Sequence, residues 1–332
     1  MSLKGSVKKG KKFQNTIPTD EAGFGKMIPI LREYINNKAE NTPIHPLGPF
    51  KTDVNKYKTP PESGLRITLI GHSSLLIEID GKRILTDPVW GERASFSSFF
   101  GPKRFFEPPL ALDDLPPLDA VILSHDHYDH LDKETIKYFA GKDIPFFCSL
   151  GVGQYLVKWG IIKNYITEMD WGDSVMIGTD CVLTATPARH FSGRGIVGRN
   201  ETLWSSFVIK GKKHNIFFGA DSGWFPGFAE IGDTYGPFDL TLLEIGAYGK
   251  YWPDIHMGPD NASNAHLALK GKVMMPIHWG TFNLSLHAWY EPIERLVKFG
   301  EDKKIKLFIP QPGEPTEVKG AYNSEWWKPF LS

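Results

Sequence analysis

The chain has 332 residues, enough for one large domain or two small ones, and its 38 basic residues balance 38 acidic ones. A balanced charge creates no overall field that favours nucleic acid, so we expect no nucleic-acid partner. Hydrophobic residues make up 41% of the chain, which is typical of a globular protein with a substantial core. No apolar run approaches the roughly 18 residues of a membrane-spanning helix, and no apolar signal segment follows the amino-terminal lysines.

Residues 1–63 are predicted to form an extension that wraps over the core. The first 12 residues contain five lysines and no acid, which favours a solvated, flexible tail. The alternative is a weak electrostatic anchor to anionic lipid. Apolar spacing predicts a short helix over residues 23–37, and the proline-rich residues 38–63 predict irregular chain. Cys148 and Cys181 lie in apolar runs, which predicts buried free thiols and a reducing, cytoplasmic location.

Strand and helix patterns then alternate along the chain. Predicted strands cover residues 65–70, 74–79, 83–86, 119–123, 145–150, 174–177, 181–186, 203–210, 215–219, 240–245, 273–277 and 305–309. Predicted helices cover residues 131–140, 153–159, 261–269 and 288–299, the third capped by Asp260 or Asn261. This alternation predicts α/β layering in one domain of two similar halves, residues 64–312, on which residues 313–332 pack as a tail.

The most informative stretch is SHDHYDH at residues 124–130, between a buried strand and a helix. His125 and His127 alternate by two, so an extended stretch can direct both rings at one ion. Asp129 and His130 lie further round the turn and can reach a second ion. Imidazole and carboxylate suit Zn²⁺, with Mn²⁺ or Fe as alternatives. A solvated polar loop is the simpler interpretation, but three histidines within six positions make it the weaker one.

Three further candidate ligands each follow an apolar strand: His190, Asp221 and His278. Taken singly, each histidine is more often structural, and an aspartate before Ser-Gly often caps its own turn. Together they offer a carboxylate and two imidazoles at strand ends, where a binuclear site needs them. His72 and Asp87 lie near the start of the sheet, and each is either an outer-shell residue that orients a ligand or purely structural.

The His-x-His-x-Asp-His motif and the later His, Asp, His order resemble the metallo-β-lactamase superfamily. The resemblance implies a four-layer αββα sandwich with a binuclear metal site at the strand ends. It also implies that His125, His127 and His190 hold one ion, that Asp129, His130 and His278 hold the other, and that Asp221 bridges them. Asp129, His130 and Asp221 are then the candidate catalytic residues.

Longer stretches resemble one branch, the N-acylphosphatidylethanolamine phospholipase D family, between residues 67 and 296. They are LTDP (85–88), GPKRF (101–105), YGPFDL (235–240), IGAY (245–248) and IHWGTF (277–282). The resemblance implies a zinc-dependent phosphodiesterase that releases N-acylethanolamine and phosphatidic acid from a phospholipid. Tyr248 is a candidate substrate contact. Glu244 and the loop over residues 191–201 depart from the family pattern, and the charge of Glu244 would repel a phosphate unless Arg189 or Arg194 offsets it.

The chemistry agrees with this resemblance. Two ions about 3.5–4 Å apart stabilise both oxygens of an in-line displacement, and a water between them loses its proton readily, so hydroxide is available near neutral pH. The alternatives are a soluble lactonase or phosphoesterase that uses the same site on a sugar phosphate or another small molecule, and a non-catalytic metal scaffold. The sequence leaves homodimerisation open.

The segment over residues 93–110 is rich in aromatic and basic residues and is predicted to form part of the substrate entrance. Its candidates for contact with a lipid are Phe99, Phe100, Lys103 and Arg104, because acyl chains need apolar area and phosphate needs cations. The alternative is that these aromatic residues pack beneath a long loop. A lipid substrate would bring peripheral contact with a membrane.

Overall fold

The computed structural model describes residue 3 and residues 5–21, 24–97, 99–195 and 197–331. Predictions that include residues 1, 2, 4, 22, 23, 98, 196 or 332, such as those for residues 1–63, 93–110, 191–201 and 313–332, therefore fall in part outside the described residues. Elements in the first half are β1 (Val7–Lys9), β2 (Lys12–Gln14), α1 (Met27–Asn36), β3 (Leu65–Gly71), β4 (Ser74–Ile79), β5 (Lys82–Thr86), β6 (Ala120–Leu123), α2 (Lys133–Tyr138), β7 (Phe146–Ser149), α3 (Gly153–Lys158) and β8 (Ile166–Met169).

Elements in the second half repeat the alternation of strands and helices. They are β9 (Ser174–Ile177), β10 (Cys181–Thr186), β11 (Ser206–Lys210), β12 (Asn215–Phe218), α4 (Gly227–Tyr235), β13 (Leu240–Glu244), α5 (Gly258–Ala268), β14 (Met274–Ile277), α6 (Glu291–Asp302), β15 (Phe308–Ile309), β16 (Thr316–Glu317) and β17 (Tyr322–Asn323).

Two sheets form the centre of the fold. One has the strand order β16-β3-β4-β5-β6-β7-β8 and the other β14-β13-β12-β11-β10-β9. Apolar side chains from both sheets, such as Ile77, Ile122, Phe207 and Leu242, make one buried cluster between them. The outer face of the first sheet packs on α2 and α3, and that of the second on α4, α5 and α6. The predicted four-layer αββα arrangement is confirmed.

The amino-terminal tail differs from the prediction of a flexible segment. Strands β1 and β2 pair as an antiparallel hairpin. Phe13 is buried in a cluster with Trp171 and Trp204, and its backbone N–H donates to the carbonyl of Asn200 at 2.8 Å. Burial of one phenylalanine stabilises this contact by roughly 2 kcal/mol. Lys8, Lys9, Lys11 and Lys12 are exposed, so the charge pattern of this segment did not reveal the buried Phe13.

Two helices begin elsewhere than predicted, and proline gives the reason in both cases. Helix α5 begins at Gly258 rather than near Asp260, and α6 begins at Glu291 rather than at residue 288. Each carries a proline in its first turn, Pro259 or Pro292, where the missing N–H has no helical partner to lose. The strand expected to be last, β15, is followed by β16, which joins the first sheet beside β3, and by β17.

Candidate metal centre

The strand directions bring the candidate ligands to one edge of the fold. In the first sheet β5 and β6 run parallel, and in the second β12, β13 and β14 do so. Strand β10 is antiparallel to β11, which is antiparallel to β12, so β10 and β12 also end on the same side. The carboxyl ends of parallel strands form the usual ligand-binding edge of a sheet. The candidate residues that follow these strands therefore converge.

A first group of four side chains holds its ligand atoms within 4.8 Å of one another: His125, His127, His190 and Asp221. The Nδ1 atom of His127 lies 2.9 Å from Nε2 of His125 and 3.2 Å from Nε2 of His190. Oδ2 of Asp221 lies 3.9 Å from Nε2 of His125. The set implied by the resemblance for the first ion is thus brought together in space.

A second group contains Asp129, His130, His278 and also His72. Nε2 of His72 lies 2.9 Å from Oδ2 of Asp129, and its ring lies 3.8 Å from that of His278 between centroids. His72 therefore lies beside the candidate ligands rather than behind them. Asp221 joins the two groups, because its two oxygens lie 3.1 Å from Nε2 of His130 and 3.1 Å from Nε2 of His278.

Burial and charge make this cluster suitable for cations. Burial disfavours ionised Asp221, but the neighbouring His130 and His278 hold its pKa well below the usual range. Burial likewise opposes a charge on His278, yet Asp221 and Asp129 raise its pKa to about 10. Burial lowers the pKa of His125 well below its ordinary value. Divalent metals bind ionised carboxylates and neutral imidazoles. The carboxylates and His125 are therefore in the state that binds a metal, and a bound cation would replace the positive charge that the carboxylates favour on His278.

The donor set fits a pair of metal ions. The buried atoms His130 Nε2, His278 Nε2 and Asp221 Oδ1 make no hydrogen bond of acceptable geometry among the described residues, although each of the two nitrogens lies 3.1 Å from an oxygen of Asp221. A cation in the space between them would satisfy all three. Nitrogen and oxygen donors without a thiolate suit zinc, manganese or iron.

The carboxylate of Asp87 lies behind the turn at residues 124–130 and fixes the orientation of the His130 ring. Oδ2 of Asp87 lies 2.8 Å from Nδ1 of His130, and the same carboxylate accepts hydrogen bonds from the backbone N–H and hydroxyl of Ser124. Nδ1 of His190 similarly lies 2.9 Å from the carbonyl of Ile255. Such partners place the proton on Nδ1 and leave Nε2 free for the centre.

The structure adds a histidine that sequence reasoning missed. His256 groups with Asp221 and His278, and its ring lies 5.2 Å from that of His190. It follows no strand and lies in irregular chain before α5, so neither periodicity nor strand-end position marks it. Its side chain is 11% exposed, and like His127 it is one of the imidazoles of the cluster that are not fully buried.

The sequence predicts that the charge of Glu244 repels a phosphate unless Arg189 or Arg194 offsets it. In the structure neither arginine is the partner of Glu244. Glu244 is fully buried at the end of β13. Oε1 accepts a hydrogen bond from the backbone of Met257 at 2.8 Å, and Oε2 lies 3.3 Å from Nδ1 of His256. Burial raises the pKa of Glu244, and His256 opposes that shift. The compensating group is therefore a histidine on the adjacent loop.

Arg189, Arg194 and Tyr248 contact residues other than the candidate metal ligands. Arg189 forms an ion pair with Asp254 at 2.8 Å. Arg194 donates to the backbone carbonyls of residues 126 and 131, and its guanidinium lies 4.0 Å from the ring centroid of Tyr128. Tyr248 donates to Glu291 at 2.7 Å. None of these three belongs to the ligand groups found among the described residues.

The segment over residues 93–110 divides into an exposed and a buried part. Phe96, Phe99 and Phe100 are 84%, 81% and 74% exposed, whereas Phe105 and Phe106 are buried. Only Phe105 and Phe106 therefore pack beneath the loop, as the alternative interpretation expects. In the same segment Lys103 forms a surface ion pair with Glu92 at 2.7 Å, and Arg104 is buried.

Comparisons with known proteins agree with this geometry. A profile described as "Beta-lactamase superfamily domain" matches residues 82–279. An uncharacterized protein of Mycobacterium tuberculosis is 45% identical over 271 residues, which cover 80% of this chain and 72% of that protein. The N-acyl-phosphatidylethanolamine-hydrolyzing phospholipase D 1 of Caenorhabditis elegans is 38% identical over 263 residues, or 75% and 74% of the two chains.

A solved structure shares the fold at lower identity. The isothiocyanate hydrolase from Delia radicum gut bacteria superposes with a TM-score of 0.62 at 21% identity, covering 76% of this chain and 98% of that one. The matched profile spans more than half of the chain and includes most of the candidate ligands. The chain therefore belongs to the metallo-β-lactamase superfamily and has the features of a metal-dependent hydrolase.

Proposed function

We propose that this protein is a phosphodiesterase of the phospholipase D type that acts on N-acylphosphatidylethanolamine or a closely related phospholipid. The observation that carries the proposal is the pair of buried donor groups joined through Asp221 at the strand ends. The name of the 38%-identical relative supports the lipid class. The charge of a phosphodiester complements a cluster built to hold cations.

The proposed centre holds two ions, with zinc favoured by the donor set. His125, His127 and His190 would hold one ion, Asp129, His130 and His278 the other, and Asp221 both. Two such ions supply a Lewis acid for the phosphoryl oxygens and a water of lowered pKa. Asp129, His130 and Asp221 act catalytically by fixing the positions of these charges.

His256 is the proposed proton-transfer residue on the substrate side of the site. With Nδ1 facing Glu244 at 3.3 Å, its Nε2 carries the free electron pair. An imidazole there can accept a proton at Nε2 and then pass it to the leaving alcohol. Glu244 fixes the ring rather than meeting the substrate, since its other oxygen is held by the backbone of Met257.

Access to a lipid surface is proposed for two exposed apolar features. One is the set of exposed phenylalanines, and Phe96 lies 6.4 Å from the ring of Tyr128 in the ligand loop. The other is the outer face of α1, where Ile28, Leu31 and Ile35 are exposed. Exposed apolar side chains that flank a site are typical of interfacial enzymes. Among the described residues no helix is long and apolar enough to cross a membrane.

Mass spectrometry of the products formed from N-acylphosphatidylethanolamine vesicles tests the proposal. We expect phosphatidic acid and N-acylethanolamine in equal amounts, and neither after treatment with a chelator. Restoring zinc should restore both products. Opening of a sugar lactone without cleavage of any phosphodiester, including bis-p-nitrophenyl phosphate, would replace the proposal with a soluble lactonase.

A further inference from the structure

The backbone of the candidate ligand His190 is held by a side chain from the amino-terminal extension. Nδ2 of Asn15 donates to the carbonyl of His190 at 2.7 Å, and Oδ1 of Asn15 accepts from the backbone N–H of His190 at 3.0 Å. A primary amide offers both donors and an acceptor, so it can pair with both peptide groups as a neighbouring strand would. Asn15 lies 175 residues away along the chain and outside the residues 82–279 that the family profile matches.

The peptide groups of His190 depend on this contact. His190 follows β10 in irregular chain, and among the described residues no backbone group bonds to its N–H or its carbonyl. The residue is fully buried, and a buried peptide group without a partner is costly. The side chain of Asn15 therefore replaces the missing strand and fixes the backbone from which the imidazole of His190 projects.

Arg189 joins the same segment of the extension, residues 15–20, to a second loop. Its guanidinium donates to the carbonyl of Pro18 at 2.7 Å and to the hydroxyl of Thr19 at 3.1 Å, and it pairs with Asp254 at 2.8 Å. Oδ2 of Asp254 also accepts from the backbone N–H of Asp20 at 2.9 Å. The 15–20 segment thus contacts both the loop after β10 and the loop before α5.

Both loops carry residues of the metal centre. Nδ1 of His190 lies 2.9 Å from the carbonyl of Ile255, which directly precedes His256. On the other side, the backbone N–H of Arg189 donates at 2.9 Å to the hydroxyl of Ser222, the residue after the candidate bridging carboxylate. The hydrogen bonds of the 15–20 segment therefore continue into the groups that orient the candidate ligands.

Attachment of the extension to the fold does not by itself require Asn15. Phe13 is buried with Trp171 and Trp204, and Ile17 packs against the cluster beneath α4, α5 and α6. These two apolar side chains hold the segment on either side of Asn15. An amide that pairs with both peptide groups of one residue adds a defined orientation, which apolar contacts alone do not supply.

We propose that Asn15 is a positioning residue of the metal centre, and that its amide fixes the backbone of His190 so that Nε2 of this ring faces the first ion. The inference rests on the proposed role of His190 as a metal ligand but not on a lipid substrate. Loss of a partner that orients a metal-binding histidine usually lowers metal affinity about 10–100-fold. Because Asn15 acts through the backbone, we expect the lower end of that range, about tenfold.

Competition with a chromophoric chelator measures the zinc affinity of full-length variants. Asn15→Ala should weaken one zinc position about tenfold, the same position that His190→Ala weakens, and should change the other position less. Asn15→Asp has nearly the same size and should lose at least as much, because a carboxylate cannot donate to the carbonyl of His190. Unchanged zinc affinity in both Asn15 variants would overturn the inference.

Gln14→Ala is the matched control in the same segment. The amide of Gln14 donates to the carbonyls of residues 12 and 13 in its own strand, so this variant should bind zinc within twofold of the unmodified protein. A loss in Gln14→Ala as large as that in Asn15→Ala would show that the segment acts only through general stability, and would contradict a specific role for Asn15.

Hydrogen–deuterium exchange at saturating zinc separates positioning from stability. In Asn15→Ala, peptides that cover residues 187–191 and 253–257 should exchange faster, while peptides from the buried strands and the melting temperature should match those of Gln14→Ala. Faster exchange across the whole chain, with equal losses at both zinc positions, would show that Asn15 is only structural. Neither measurement uses a lipid, so a failure of the proposed phosphodiesterase activity is distinguished from a failure of this inference.

Discussion

Replacing Asp87 with asparagine should reverse the direction of the hydrogen bond at Nδ1 of His130. In the structure one carboxylate oxygen lies 2.8 Å from Nδ1 of His130 and 2.6 Å from the hydroxyl of Ser124, and the other accepts from the backbone of Ser124. If an asparagine keeps that backbone bond, its NH₂ group faces Nδ1. Two donors cannot share this contact, so His130 is driven to the tautomer with its proton on Nε2, and Nε2 can no longer bind a metal.

Removal of a hydrogen-bond partner that orients a metal-binding histidine usually lowers metal affinity or activity about 10–100-fold. We expect a loss of this size for Asp87→Asn. Zinc affinity at the second position, measured by competition with a chromophoric chelator, should fall within that range, as should turnover of bis-p-nitrophenyl phosphate. Asp80→Asn is the matched control, because Asp80 makes the same carboxylate contact, 2.8 Å to Nδ1 of His214, away from the centre. Unchanged zinc affinity in Asp87→Asn, with both proteins folded, would refute the tautomer argument.

Three further changes test other parts of the molecule. Asp221→Asn should leave the fold intact but remove one or both ions and nearly all turnover, because an amide cannot supply a negative charge to both groups; full metal content by elemental analysis would contradict this. Replacing Phe99 and Phe100 with serine should weaken action on vesicles and spare a small soluble diester, whereas equal loss on both would indicate misfolding. Partial burial of Glu317 raises its pKa, but hydrogen bonds, first that from the backbone N–H of Ser63, lower the pKa to about 2. The ionised Glu317 therefore stabilises the fold above pH 4.5, and this stabilisation is lost as the pH falls toward 2. After allowance for solvent screening, Glu317→Gln should lower the free energy of unfolding by about 1 kcal/mol at pH 7. The difference between the two proteins should become smaller in denaturation series at lower pH.

Much of the candidate site could be predicted because it depends on strand ends. Each predicted ligand follows an apolar run whose extent was correct to within a few residues, as with β12 before Asp221 and β14 before His278. The carboxyl ends of parallel strands within one sheet lie on the same edge. That the ends from both sheets meet, and how the ligands divide between two ions, was implied by the resemblance to the superfamily and not by local sequence.

The missed features depend on tertiary contacts. Helix α4 contains two glycines, Gly227 and Gly232, which weaken its helix propensity, and it is held by burial of Phe228 and Ile231. Strand β8 has exposed residues at its centre and a weak pattern. The hairpin of β1 and β2 is held by one buried side chain in a lysine-rich segment. In each case packing outweighs local preference.

Glu244 shows how a departure from a family pattern changes meaning once its neighbours are known. From sequence its carboxylate counted against an anionic substrate, because a negative charge beside the pocket repels phosphate. In the structure it lies beneath the loop before α5, where it accepts from the backbone of Met257 and faces His256. A carboxylate there favours a particular orientation of an imidazole that borders the cluster. Glu244 is therefore fully buried behind this histidine, and its charge does not by itself argue against an anionic substrate.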